Sequence, residues 1–185
     1  MKKTNENDIL EITLSIAEKG YPEAYRFLLN AYEESPNSFG PQTFYILACL
    51  AGGANMPELA LAWLRKAIQE NNWWYRPEVL EDDDLAALKN DAAFLSLKVI
   101  SDERYADAVS KSRAIFSWEK KKTDNLFLAI HGNTKNSAQA REDWEPIIGE
   151  NGQWQIETVQ SAEPDGYGTY RWSYDSTSYL PVANS

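Results

Sequence analysis

The hydrophobic period of this chain changes once, and that change limits its fold more than any other feature. Before the segment EKKKTD (Glu119 to Asp124) apolar residues recur every three or four positions; after it they fall into short strand-like runs. Upstream, Ile9, Ile12 and Ile16 share one helical face, as do Tyr25, Leu28, Leu29 and Tyr32, then Phe44, Leu47 and Leu50, then Leu61, Leu64 and Ile68. Gly20 with Pro22, the stretch Pro36 to Pro41, Gly52 with Gly53, and Pro57 punctuate these runs. The reading is four helices in two antiparallel pairs, about 7–18 with 22–34 and 41–52 with 56–70. The chain is therefore expected to be mostly α, with a helical domain over 1–120 and a second segment over 121–185.

The second pair carries a finer pattern. Phe44, Leu47, Ala48, Ala51, Ala60, Leu64 and Ala67 alternate large and small side chains. Small residues at Ala48 and Ala60 let two helices approach closely, while Phe44 and Leu64 fill the space beside the contact. Over PQTFYILACLAGGANMPELALAWLRKAIQENN this resembles a tetratricopeptide repeat, with Ala51 where an aromatic is usual and Asn72 where proline is usual. Ala24, Leu28, Ala31 and Pro36 match the second half of the same motif one period earlier. The resemblance implies a helical-repeat module with a protein or peptide partner. Residues 77–118 then take the role of capping helices: LEDDDLAALKNDAAFLSL reads as an acidic turn leading into a closing helix, and Ser101 as the cap of a longer helix to about Trp118.

Beyond Asp124 the units shorten. Asn125 to Ile130 (NLFLAI) reads as a buried strand entering a tight turn at His131-Gly132-Asn133. Ser137 opens a helix through about Ile148, Gly149 to Gly152 breaks it, and Trp154 to Gln160 (WQIETVQ) reads as a second strand. Strand, helix and strand make one βαβ unit with parallel strands. From Ser161 to Ser185 little periodicity is visible.

FLAIHGNTKNSAQAREDWEPII followed by WQIETVQSAEPDGYGTYRWSYD resembles the opening of an α/β-hydrolase domain of the carboxylesterase and phospholipase type, over roughly residues 124–175. That resemblance implies that His131, Gly132 and Asn133 form an oxyanion loop, whose backbone N–H groups meet the negative oxygen of an ester's tetrahedral intermediate. The family's nucleophile elbow, Gly-x-Ser-x-Gly, does not occur in these residues: Ser161, Ser173, Ser176 and Ser178 lack the flanking glycines, and no histidine follows His131. The expected function is thus an interaction or accessory helical module attached to the front of a serine esterase, catalytically incomplete by itself. A second reading is an esterase with an unrecognised site built from His131, Asp175 and Ser173 or Ser176. A third is a carbohydrate- or small-molecule-binding module using the aromatics from Tyr170 to Tyr179.

Charge and composition narrow the partners. The formal charge of −10 would repel a phosphate backbone or an anionic membrane, so neither nucleic acid nor membrane is expected. One cysteine, Cys49, and one histidine exclude an intramolecular disulfide and a Cys/His zinc site within the chain, and a reducing cytoplasm is the simplest compartment. No cofactor or metal is expected; the acidic run Glu81 to Asp84 reads as a solvated turn, and Cys49 as an inert small hydrophobe. His131 reads as a structural histidine at a turn, and most of the seven tryptophans as core. A two- or three-stranded sheet leaves edges open, so the strands are expected to pack on the helices or to pair across a homodimer.

Overall fold

The computed structural model describes residues 5–117, 123, 125–148 and 153–173. Two compact units divide the chain, Met1–Arg104 and Tyr105–Ser185, so the division falls upstream of the composition change and inside a helix.

The first unit is helical. Helices α1 (Glu6–Ala17) and α2 (Tyr21–Glu34) precede a short 3-10 turn, Pro36–Ser38; α3 (Pro41–Gly53) and α4 (Pro57–Arg65) follow, and α4 runs on into a π-helical turn, Lys66–Glu70. Pro22, Pro41 and Pro57 all lie in first turns, where a missing N–H leaves no bond unmade. Asn5 caps α1 by accepting from the Asp8 N–H. From the first turn of α1, Glu6 then reaches across to accept from Gly40 N (2.8 Å) and Thr43 Oγ1 (2.6 Å), fixing the start of α3.

The repeat-packing residues Phe44, Leu47, Ala48, Ala51, Ala60, Leu64 and Ala67 are buried in one core with Ala24 and Leu28. Asn72 adopts φ 59°, a left-handed conformation closed to proline. Gly52 is required by proximity: a Cβ there would lie 2.0 Å from the carbonyl oxygen of Asp84.

The capping segment differs from expectation. Two 3-10 turns, Pro77–Glu81 and Asp83–Leu88, lead into one long helix, α5 (Ala92–Lys111). Its first turn is capped by Asp91, whose Oδ1 accepts from Ala93 N and Phe94 N, while Asp82 caps the preceding 3-10 turn by accepting from Asp84 N (2.9 Å). Ser101 is no helix cap: it lies fully buried inside α5, where its hydroxyl accepts from Tyr75 N (2.8 Å) and donates to Tyr75 O (3.0 Å). The helix also stops short of Trp118, and Ile115–Ser117 form a strand, β1.

The second unit holds β1, β2 (Asn125–Ile130), α6 (Ser137–Ile148), β3 (Trp154–Gln160) and a hairpin of β4 (Glu163–Gly166) and β5 (Thr169–Arg171). The sheet order is β1-β3-β2; β2 runs parallel to β3, as the βαβ reading requires, and β1 runs antiparallel to it. Phe127, Ala129, Ala140, Ile148 and Ile156 form the small core between sheet and α6. Leu126, Leu128 and Ile130 alternate onto the opposite face of β2 and stay 43%, 43% and 59% exposed. The β4–β5 hairpin lies in a stretch with no legible periodicity, and its Gly168 takes φ 74° at the turn.

Candidate functional site

The parallel strand β2 ends at Ile130 and α6 begins at Ser137, so residues 131–136 form the loop at the carboxyl end of a parallel strand, where α/β folds place their ligands. His131 is buried (2% exposed) and both its ring nitrogens are engaged. Nδ1 lies 2.8 Å from the carbonyl oxygen of Gly132, which can only accept, so this nitrogen carries the hydrogen. Nε2 accepts from the backbone N–H of Ser161 at 3.1 Å, with the side-chain amide of Gln160 also at 3.1 Å. Burial pushes the imidazole pKa below its ordinary value, against a smaller opposing effect of the Gly132 carbonyl, and this favours the same neutral form.

Three neighbouring segments hold the loop. The Gln160 Oε1 accepts from Ser137 N (2.9 Å), tying the end of β3 to the start of α6. Tyr170 of the hairpin accepts from Thr134 N (3.0 Å) and donates its N–H to Lys135 O (2.9 Å). Trp172 donates from its backbone to Asn133 Oδ1 (2.8 Å) and from its indole to the His131 carbonyl (2.8 Å), and its ring lies 5.0 Å from the imidazole. Under this clamp Thr134 sits at φ 63°, a left-handed conformation unusual for a β-branched residue and costing about 1–3 kcal/mol.

Among the described residues the backbone N–H groups of Gly132 and Asn133 have no acceptor, while those of Thr134, Lys135, Asn136 and Ser137 are all bonded. Gly132 and Asn133 are exposed, and a Cβ at position 132 would meet nothing within 4 Å. The loop thus presents two successive free donors on a backbone held rigid behind them.

Of the serine-based alternative, only His131 and Ser173 lie among the described residues. Ser173 Oγ donates to Glu163 Oε1 at 2.9 Å, and neither imidazole nitrogen bonds it. Asp175, Ser176, Ser178, Tyr174 and Tyr179 lie outside the described residues, as do the Lys120 to Lys122 linker and Gly149 to Gly152. Of the aromatics in that stretch, Tyr170 and Trp172 turn toward His131. In the helical unit Trp74 and Tyr75 are buried and Trp73 packs on the core.

A second cluster lies in the helical unit, and sequence reasoning missed it because its members are far apart in the chain. Cys49, Asp82 and Asp84 bring their ligand atoms within 4.8 Å of one another. The carboxylates already accept from tyrosines, Asp82 from Tyr45 OH (2.6 Å) and Asp84 from Tyr21 OH (2.9 Å), so the acidic run is more than a solvated turn. Burial, with these carboxylates adding to it against the Tyr45 hydrogen bond, pushes the Cys49 thiol up to about 12, which keeps it protonated and unlike a metal-binding thiolate. The donor set fits hydrogen bonding better than a cation.

Comparison with known proteins gives the family. The family described as A/B hydrolase-like, N-terminal domain, matches residues 5–109, more than half of the 185 residues. The chain belongs to this family. The match falls on the helices and not on residues 124–175, where the hydrolase likeness is expected from the sequence. A crystal structure of an uncharacterized protein from Bacillus cereus ATCC 10987 is similar with a TM-score of 0.55 and 27% identity, over 92% of this chain and 55% of that one. The present chain therefore spans little more than half the length of that relative. No curated protein matches it. Among the described residues no helix is long and apolar enough to cross a membrane.

Proposed function

We propose that this chain is the front portion of an esterase-type α/β hydrolase: a helical accessory or protein-interaction module of tetratricopeptide-like build, followed by the segment that supplies the oxyanion loop. The observation that carries this reading is that, among the described residues, the N–H groups of Gly132 and Asn133, at the carboxyl end of β2 and just ahead of α6, have no acceptor. In hydrolases of that fold one oxyanion donor comes from the loop between a strand and the first helix, the other from beside the nucleophile. The apolar face of Leu126, Leu128 and Ile130 on the edge strand β2 supports it further, since parallel sheets are stable when covered on both faces. The same face is what a homodimer would use.

Acyl transfer also needs a group to attack and a base to take its proton, and His131 is committed to backbone. Purified 1–185 is therefore expected to turn over no p-nitrophenyl acetate and to take no fluorophosphonate label; a covalent adduct on any of its hydroxyls would overturn the reading. In a protein carrying this chain ahead of a Gly-x-Ser-x-Gly segment, Asn133→Pro removes one donor. Its kcat is expected to fall by about 10²- to 10³-fold. For the helical module, calorimetry against candidate protein partners is the corresponding measurement, and persistent absence of any binder would leave it a packing accessory.

A further inference from the structure

We propose that His131 is a proton-operated latch on the 131–136 loop: neutral, it ties the loop to Ser161 and Gln160, and a proton added at Nε2 releases it. The inference takes its account of what the loop does from the oxyanion reading, but the latch itself stands on the hydrogen bonding alone.

The tautomer is fixed from both sides. The Gly132 carbonyl at Nδ1 demands a hydrogen there, and the Ser161 N–H at Nε2 demands a lone pair. Gln160 is oriented independently, because its oxygen is used by Ser137 N; its NH₂ is therefore the end that faces Nε2. A proton on Nε2 would confront two N–H donors in a buried place, with no acceptor opposite. Ser161 and Gln160 must then move.

Their movement has a defined path. Ser161 Oγ donates to Arg171 O (2.6 Å) and accepts from Glu163 N (3.0 Å), so displacing Ser161 disturbs both strands of the hairpin. That hairpin holds Thr134 and Lys135 through Tyr170, and Trp172 beside it holds Asn133 and the His131 carbonyl. Gln160 in turn releases Ser137 at the start of α6. The two free donors sit between these attachments.

Among the described residues no charged group hydrogen-bonds to the imidazole to offset the proton. Glu163 on the hairpin pairs with Arg171 Nε (3.6 Å) and accepts from Ser173; Lys135 on the loop pairs with Asp143 of α6 (2.6 Å); Glu157 on β3 bonds Gln155 and lies 4.0 Å from Arg141 of α6. Asp165 is the other described carboxylate of the hairpin, and the Tyr170 ring lies 6.3 Å from the imidazole between centroids. None of these groups hydrogen-bonds to the ring. Burial then disfavours the charged imidazole.

Because the chain has one histidine, its imidazole resonance is a unique reporter. Proton–nitrogen spectra of the full chain between pH about 8 and about 5 should show that resonance titrating with a midpoint below 6.5, and the amides of Gly132, Asn133 and Ser161 shifting with the same midpoint. His131→Gln should abolish the shared transition. Gln160→Glu, which sets a carboxylate at Nε2, should raise the midpoint by on the order of one unit and carry the loop amides with it. An ordinary midpoint with unmoved amides overturns the latch, and so does a transition that persists in His131→Gln. Both wild-type outcomes are decisive even if a variant fails to fold. An Asn133→Pro enzyme that keeps full activity would sink the oxyanion reading yet leave these midpoints where they are, so the two failures are distinguishable.

Discussion

The two units of the molecule are held by different physics. In the helical unit Leu28, Leu47, Leu64, Ile68, Leu80, Leu85 and Leu97 are wholly or almost wholly buried in one apolar cluster, and its side-chain hydrogen bonds sit mainly around that cluster. In the C-terminal unit the buried apolar residues among those described are Ala129, Ala140, Ile156, Val159 and Pro164, while His131, Glu157, Thr158, Gln160 and Ser161 are also buried. A core of leucines specifies shape through volume and tolerates no vacancy. A core of polar groups specifies shape through directed bonds, and it fails when one partner is lost or charged. The first arrangement suits a scaffold; the second suits a loop whose geometry must be exact yet responsive.

Substitutions can break or sharpen this contrast. The largest effect is expected from Leu64→Ala, which empties a fully buried site and should destabilise the helical unit by about 2–5 kcal/mol in urea unfolding. Next comes Gly52→Ala, whose new Cβ meets the Asp84 carbonyl at 2.0 Å; about 1–3 kcal/mol is expected, with loss of the Asp84 turn followed by amide exchange. His131→Ala should cost about 1–3 kcal/mol by orphaning the Ser161 N–H, and faster exchange should appear in residues 154–173 while α1 to α4 keep theirs.

The pH dependence follows from the same bond. Burial lowers the folded pKa of His131 below 6.5, so between the two values the unfolded chain holds the extra proton; stability contributed above 6.5 is lost as pH falls toward the folded value. Urea midpoints measured across that range should show the loss in wild type and not in His131→Gln. The smallest effect is expected from Leu128→Ser, on the exposed face of β2, within about 0.5 kcal/mol. A large cost there would mean that the face is covered.

Much of the helical unit was legible because amphipathic spacing and proline at first turns are local signals: α1 to α4 fall within a few residues of their expected spans. Strands β2 and β3 and helix α6 were legible for the same reason. Ile115–Ser117 was not, since three residues carry no measurable period and Phe116 fits a helical face equally well. Ser101 misled because a buried serine bonded to a distant backbone looks, in sequence, like a helix cap. At the candidate site the strand-turn pattern places His131, Gly132 and Asn133 at a tight turn, and only the family resemblance makes that turn an oxyanion loop. Gln160, Ser161 and Trp172 could not be assigned their part, because their contacts with the loop span about thirty to forty positions and leave no periodic trace. Thr134 gave no warning at all: its left-handed backbone belongs to the clamp and not to the residue.

The stacking of Trp172 on His131 gives the loop an optical signature. An excited indole passes an electron readily to an imidazolium but not to a neutral imidazole, and the two rings are only 5.0 Å apart and inclined by 30°. Among seven tryptophans, this one should dim on acidification, so that ordinary fluorescence would report whether the histidine has been charged.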